Sequence, residues 1–287
     1  MKTTYKKYIL NFKQPSGTSR GVLTQKETWF IILEHEEKRG IGECGILRSL
    51  SVDDRPDYEE KLKWTCNNIY LGLDNLLNEL VEFPSIQFGL EMAFNSLESQ
   101  HQFELFPSEF TKGKASIPIN GLIWMGSKSF MLAQIKDKVD KGFKCLKLKI
   151  GALKFEDELE IIKYIRQSFR KGDIELRVDA NGAFYPSTAL ERLKHLSDYE
   201  LHSIEQPIAP NQWDFMAELV QSSPLPIALD EDLINISPLL HEKMLQTVSP
   251  EYIILKPSLI GGFQQAENWI RLAEKHEIKW WITSALE

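Results

Sequence analysis

Six charged residues recur along the C-terminal half of the chain, each near the end of a short apolar run. They are Lys147 and Lys149 in CLKLKIG, Asp179 in LRVDANG, Glu205 in HSIEQP, Asp230 in PIALDED and Lys256 in YIILKPS. From Lys149 the successive steps are 30, 26, 25 and 26 residues. One strand, one crossover helix and two loops need about 30 residues, so the spacing predicts a β/α repeat. Parallel strands in such a repeat close into a TIM-type (β/α) barrel, an α/β fold with its functional residues at the C-terminal strand ends. Two lysines would then face three carboxylates across one cavity. Three carboxylates so placed cannot all stay ionised without a cation, and an oxygen-only donor set favours a hard ion such as Mg²⁺ or Mn²⁺.

Bulk composition excludes several function classes. With 287 residues and 43% apolar content, the chain can bury a full core. A net charge of −7 provides no basic footprint for nucleic acid or an anionic membrane. The longest apolar runs are far below membrane-spanning length, and the N-terminus lacks the apolar core of a secretion signal. A cytoplasmic protein is expected. Cys44, Cys66 and Cys145 are an odd set without CxxC spacing, which points to reduced thiols.

The N-terminal third has a different pattern. Residues 5–13 and 28–36 read as strands, and Lys38-Arg39-Gly40 before IGECG reads as a hairpin into a third. Helical periodicity follows over 56–82 and 86–103, where Phe88, Met92, Leu97 and Phe103 recur at helical intervals. We expect an α+β capping domain over 1–112 and a barrel domain over 113–287. Barrel strands are expected at 116–120, 145–150, 176–180, 203–206, 227–230, 252–256 and 280–284. That makes seven. A closed barrel needs an eighth, so the last strand is expected in a further segment of about 50 residues, beyond Glu287.

Lys147 and Lys149 alternate with Leu146, Leu148 and Ile150. The leucines and isoleucine would pack on the helices and leave both lysines inside. Two ammonium groups so close depress each other's pKa, which suits a general base. Asn181 can orient a ligand, although Asn-Gly is also ordinary loop chemistry. Gly261 and Gly262 are candidates to offer backbone amides to a substrate carboxylate. Glu231 and Asp232 crowd behind Asp230 as supporting acids. No histidine occupies the strand-seven end around Ser284, and no GxSxG, Walker loop or strand-linked GxGxxG is present.

KLK, DANG, EQP, LDED and LKPS in this order resemble the enolase superfamily, in particular its muconate-lactonising subgroup, and GIGECGILRSLS with PSIQFGLEMAFNSLE is similar to that family's capping domain. The resemblance implies that Lys149 is the base and Lys147 its neighbour. It implies Asp179, Glu205 and Asp230 as Mg²⁺ ligands and Lys256 on the other side of a small-molecule carboxylate substrate. SGTSRG at 16–21, Arg177 and LKPSLIGG are most similar to the subgroup's o-succinylbenzoate-forming lyases. In that reading the loop from Ser16 to Arg20 is a lid, and Ser16, Arg20, Arg177, Asn181, Gly261, Gly262 and Ser284 are substrate contacts. Epimerisation of a dipeptide or N-acylamino acid by the two lysines, and a metal-binding barrel without turnover, are the alternatives.

Overall fold

The computed structural model describes residues 1–18 and 21–286. The chain opens with three antiparallel strands, β1 (Lys2–Thr18), β2 (Gly21–His35) and β3 (Lys38–Gly45), in the order β1-β2-β3. Alternation along β2 turns Trp29, Ile31 and Leu33 to one buried face, as a half-buried strand requires. Against that face pack α1 (Tyr58–Asn67), α2 (Leu73–Glu79) and α3 (Pro84–Glu98), giving a core that includes Leu62, Leu76, Leu80, Ile86 and Leu90. Pro84 occupies the first turn of α3, where its missing N–H costs nothing. The helix ends at Glu98, so Phe103 lies outside it and is exposed.

The remainder alternates strand and helix. In order these are β4 (Gly121–Ile123), α4 (Lys128–Asp140), β5 (Cys145–Lys149), α5 (Phe155–Ser168), β6 (Glu175–Asp179), α6 (Pro186–Ser197), β7 (Ser203–Glu205) and α7 (Trp213–Ser222). There follow β8 (Ile227–Leu229), α8 (His241–Val248), β9 (Tyr252–Leu255), α9 (Pro257–Ile260), α10 (Gly262–Lys275) and β10 (Lys279–Ile282). The strands form one seven-stranded sheet in chain order from β4 to β10, and every ladder is parallel. A second core lies between this sheet and its helices. The fold is the expected α/β half-barrel with an N-terminal capping sheet. The first barrel strand lies later than expected: residues 116–119 are exposed and Gly121–Ile123 pair with β5, because Pro118 has no N–H for a ladder. Among the described residues no helix is long and apolar enough to cross a membrane.

Strand β3 meets α3 almost backbone to backbone. A Cβ at Gly42 would overlap the Gly89 carbonyl oxygen, and one at Gly40 would overlap that of Ala93. A side chain at either position must push the helix off the sheet. We expect Gly42→Ala to destabilise the protein by about 1–3 kcal/mol, the usual range for overpacking. Denaturant unfolding monitored by tryptophan fluorescence measures this, and a midpoint equal to wild type would show that α3 can shift freely.

Candidate active site

Register builds the site. Lys149 pairs with Asp179 across β5 and β6, and Asp179 pairs with Glu205 across β6 and β7, so the three stand in one row at adjacent strand ends. Asp230 immediately follows β8 and Lys256 immediately follows β9. On β5 the outward residues Leu146 and Leu148, with Ile150 just after the strand, are buried against the helices, while Lys147 and Lys149 point inward. Alternation with a period of two fixes this division.

The inward groups form one compensated charge cluster. Lys147 bridges Asp179 at 3.0 Å and also pairs with Glu205. Lys149 donates to Asp179 Oδ2 and to Asn181 Oδ1, each at 2.8 Å. Lys256 pairs with Asp230. Burial alone would lower the Lys147 pKa, but the carboxylates of Asp179 and Glu205 outweigh it and shift Lys147 upward. The expected depression rested on the neighbouring lysine and a bound cation; in the protein's own charges the two acids act on Lys147 in the opposite direction. Burial would raise Asp179, yet Lys147 and Lys149 hold its carboxyl well below the usual carboxylate range. Burial and the charge of Asp179 push Glu205 up to about 8.

A hard divalent cation fits this donor set. Among the described residues no three acidic, histidine or cysteine side chains stand as a ready coordination shell, since each of the three carboxylates is engaged by a lysine. Glu205 Oε1, however, is buried and faces no donor. A buried carboxylate oxygen without a partner is costly, and a cation among three carboxylates satisfies it with the oxygen chemistry Mg²⁺ and Mn²⁺ take.

The loops behind the strands are held tightly. Gln206 has φ 38° and Asn181 φ 44°, left-handed conformations that are uncommon without glycine and concentrate at functional sites. Gln206 Nε2 donates to Asp232 at 2.7 Å, and its Oε1 accepts from the Asp230 N–H at 3.2 Å. Asp232 also accepts from the Asn211 N–H. Asp232 therefore braces the β7 and β8 loops. Asn181 Nδ2 donates to Glu231 at 2.9 Å, which orients the amide whose oxygen holds Lys149. Glu158 accepts from the N–H groups of Gly151, Ala152 and Leu153, bracing the loop after β5.

A cavity of about 1100 Å³ opens at these strand ends, and Asp179, Glu205 and Asp230 are not among the residues that border it. Lys147, Lys149, Lys256, Asn181, Glu231, Arg177 and Ser284 all line it. Arg177 is paired with Glu175 and lies 4.4 Å over the Trp281 ring. Gly261 and Gly262 do not border the cavity; the amides just beyond them, of Phe263 and Gln264, bind Glu91 instead. Of the expected lid, residues 16–18 are the last of β1 and pair with β2, Ser16 with Leu23 and Thr18 with Gly21. Arg20 and the Ser16 side chain lie outside the described residues. Sequence reasoning missed the apolar wall supplied by the capping unit, formed by Leu47, Leu50, Phe88 and Met92. Phe88 and Met92 share helical spacing with core residues, so periodicity alone does not separate a cavity wall from a core.

Residues 131–286 match the family model described as enolase C-terminal domain-like. The chain is 44% identical to the o-succinylbenzoate synthase of Desulfotalea psychrophila, over 100% of this chain and 86% of that protein. A crystal structure of MenC from Desulfotalea psychrophila superposes with a TM-score of 0.88 at 40% identity, covering 100% of this chain and 86% of that one. A dipeptide epimerase from Cytophaga hutchinsonii, crystallised with Mg and D-Ala-L-Val, has the same fold, with a TM-score of 0.85 at 22% identity over 99% of this chain and 79% of that one. By its barrel, its capping sheet and these matches, the chain belongs to the enolase superfamily.

Proposed function

We propose that the protein is a Mg²⁺-dependent carbon–oxygen lyase. It would convert 2-succinyl-6-hydroxy-2,4-cyclohexadiene-1-carboxylate to o-succinylbenzoate in menaquinone biosynthesis, in the cytoplasm. The observation that carries this reading is the disposition of the lysines. Lys149 is held at 2.8 Å by both Asp179 and Asn181 on one flank of the cavity, and Lys256 stands four strands further round the sheet. The 44% identity to an o-succinylbenzoate synthase supports the choice of substrate.

Asp179, Glu205 and Asp230 would hold the ion. When bound, Mg²⁺ supplies a fixed positive charge against the negative charge that develops on the substrate carboxylate. Lys149, as the free amine, takes the proton from the carbon bearing that carboxylate. The C–H electron pair passes into the enediolate, and Lys256 and Lys147 offset the charge from either side. The enediolate then re-forms the carboxylate, its electrons make the new ring double bond, and the C–OH bond breaks. Lys149 returns its proton to the departing hydroxyl, which leaves as water from the same face. Aromatisation makes the step downhill. Asn181 and Glu231 keep the Lys149 amine aimed throughout, and the apolar wall of Leu47, Leu50, Phe88 and Met92 limits water around the ring.

Removing the ion with excess chelator should abolish turnover, followed by the ultraviolet change on aromatisation, and Mg²⁺ or Mn²⁺ should restore it; full rates in chelator would sink the metal assignment. Lys149→Ala should lower kcat beyond the roughly 10²- to 10⁴-fold of ordinary acid–base assistance, because one amine serves in both proton transfers. A near-normal rate would move the base elsewhere. Lys256→Arg keeps the positive charge but cannot give and take protons, so it should retain appreciable dehydration. A wild-type enzyme that epimerises dipeptides efficiently and leaves the cyclohexadiene untouched would overturn the lyase reading.

A further inference from the structure

Glu91 lies on α3 in the capping unit, only 5% exposed, and reaches into the barrel. Its carboxylate accepts from the backbone N–H of Phe263 and, at 2.9 Å, from that of Gln264, two first-turn donors of α10. Helix N-termini leave such N–H groups without intrahelical partners and favour negative charge. Here the anion is internal. The glycine pair makes the approach possible: a Cβ on Gly262 would fall on the Glu91 carboxylate, and one on Gly261 would come within 2.8 Å of Gln87 Oε1. Both glycines have positive φ, 103° and 86°, and they join α9 to α10, with α9 beginning directly after Lys256.

The contact thus ties together two parts of the cavity boundary. On α3, Phe88 and Met92 flank Glu91 within one helical turn, and both line the cavity. On the barrel side, Lys256 and Pro257 line it. The Phe88 ring also meets Phe263 edge-on at 5.0 Å. Glu91 itself does not border the cavity.

We propose that Glu91 is a positioning residue whose carboxylate, clamped on the start of α10, sets the distance between the apolar wall on α3 and the loop carrying Lys256, and so sets substrate fit. The proposal rests on the lyase reading only for the substrate used in its kinetic arm. The test compares wild type, Glu91→Gln, Glu91→Ala and Gly262→Ala as full chains. Hydrogen exchange reads the clamp directly, and steady-state kinetics on the cyclohexadiene reads its effect on the cavity. We expect faster exchange in the first turn of α10 and across residues 86–93, graded from Gln to Ala. We also expect KM to rise at least about tenfold while kcat stays within about threefold, the signature of lost ground-state positioning. Gly262→Ala should reproduce both effects, because its methyl group displaces the carboxylate. A wild-type KM in these variants, whether or not thermal stability falls, would overturn the proposal by reducing Glu91 to a structural residue. Should Glu91→Ala fail to fold, the near-isosteric Glu91→Gln and Gly262→Ala decide the matter. If wild type itself leaves the cyclohexadiene untouched, the lyase reading fails, yet unchanged exchange at Phe263 and Gln264 in the variants would still refute the clamp.

Discussion

Mutual compensation of buried charge governs the barrel half of this protein. Asp179, Glu205 and Asp230 are almost wholly inaccessible, and the side chains of Lys147, Lys149 and Lys256 are 12%, 15% and 13% exposed. Any one of these ions alone in such a place would cost several kcal/mol. They persist because strand register brings opposite charges to adjacent strand ends, so each acid finds an amine within contact. The cost of the arrangement is a cluster that removal of any single member would unbalance. It also explains why the loops behind it are so heavily bonded, with Gln206 and Asp232 on one side and Asn181 and Glu231 on another.

The capping unit answers a different need. The barrel half lends Leu122, Trp124, Trp281 and Ile282 to the cavity lining, and Leu47, Leu50, Phe88 and Met92 add apolar surface from outside it. The unit has its own core, built on Trp29, Ile31 and Leu33. Its attachment to the barrel can therefore respond to local interactions such as the Glu91 carboxylate without dissolving either core. The charged groups belong to the barrel, while enclosure is shared between two packed bodies.

Much of this was legible in the sequence, for identifiable reasons. The intervals from Lys149 to Lys256 are set by the length of a β/α unit, so they mark strand ends without any knowledge of the helices. The KLK alternation assigned the inner and outer faces of β5 because a strand has only two. Other features depended on three-dimensional proximity. The Gly261-Gly262 pair has the look of an anion-binding turn, but only the fold shows that Glu91, far earlier in the chain, occupies it. The sign of the Lys147 shift turned on which charges lay nearest, and Phe88 and Met92 looked like core because a helix buries a wall and a core with the same period. The first barrel strand slipped because SIPIN alternates like a strand while its proline cannot join a ladder.

The reach of Glu91 also orders events in time. Its partner Phe263 is 172 residues away along the chain, whereas the sheet and helices of the capping unit find one another within the first 98 residues. Local contacts form early, and closing a long loop carries an entropy penalty that only later packing repays. On a growing chain the cap's own core can assemble while its carboxylate still lacks the two amides that will bind it. The wall of the cavity is therefore made first and fitted last, when the polypeptide through Gln264 has emerged and the helix that begins there has taken shape.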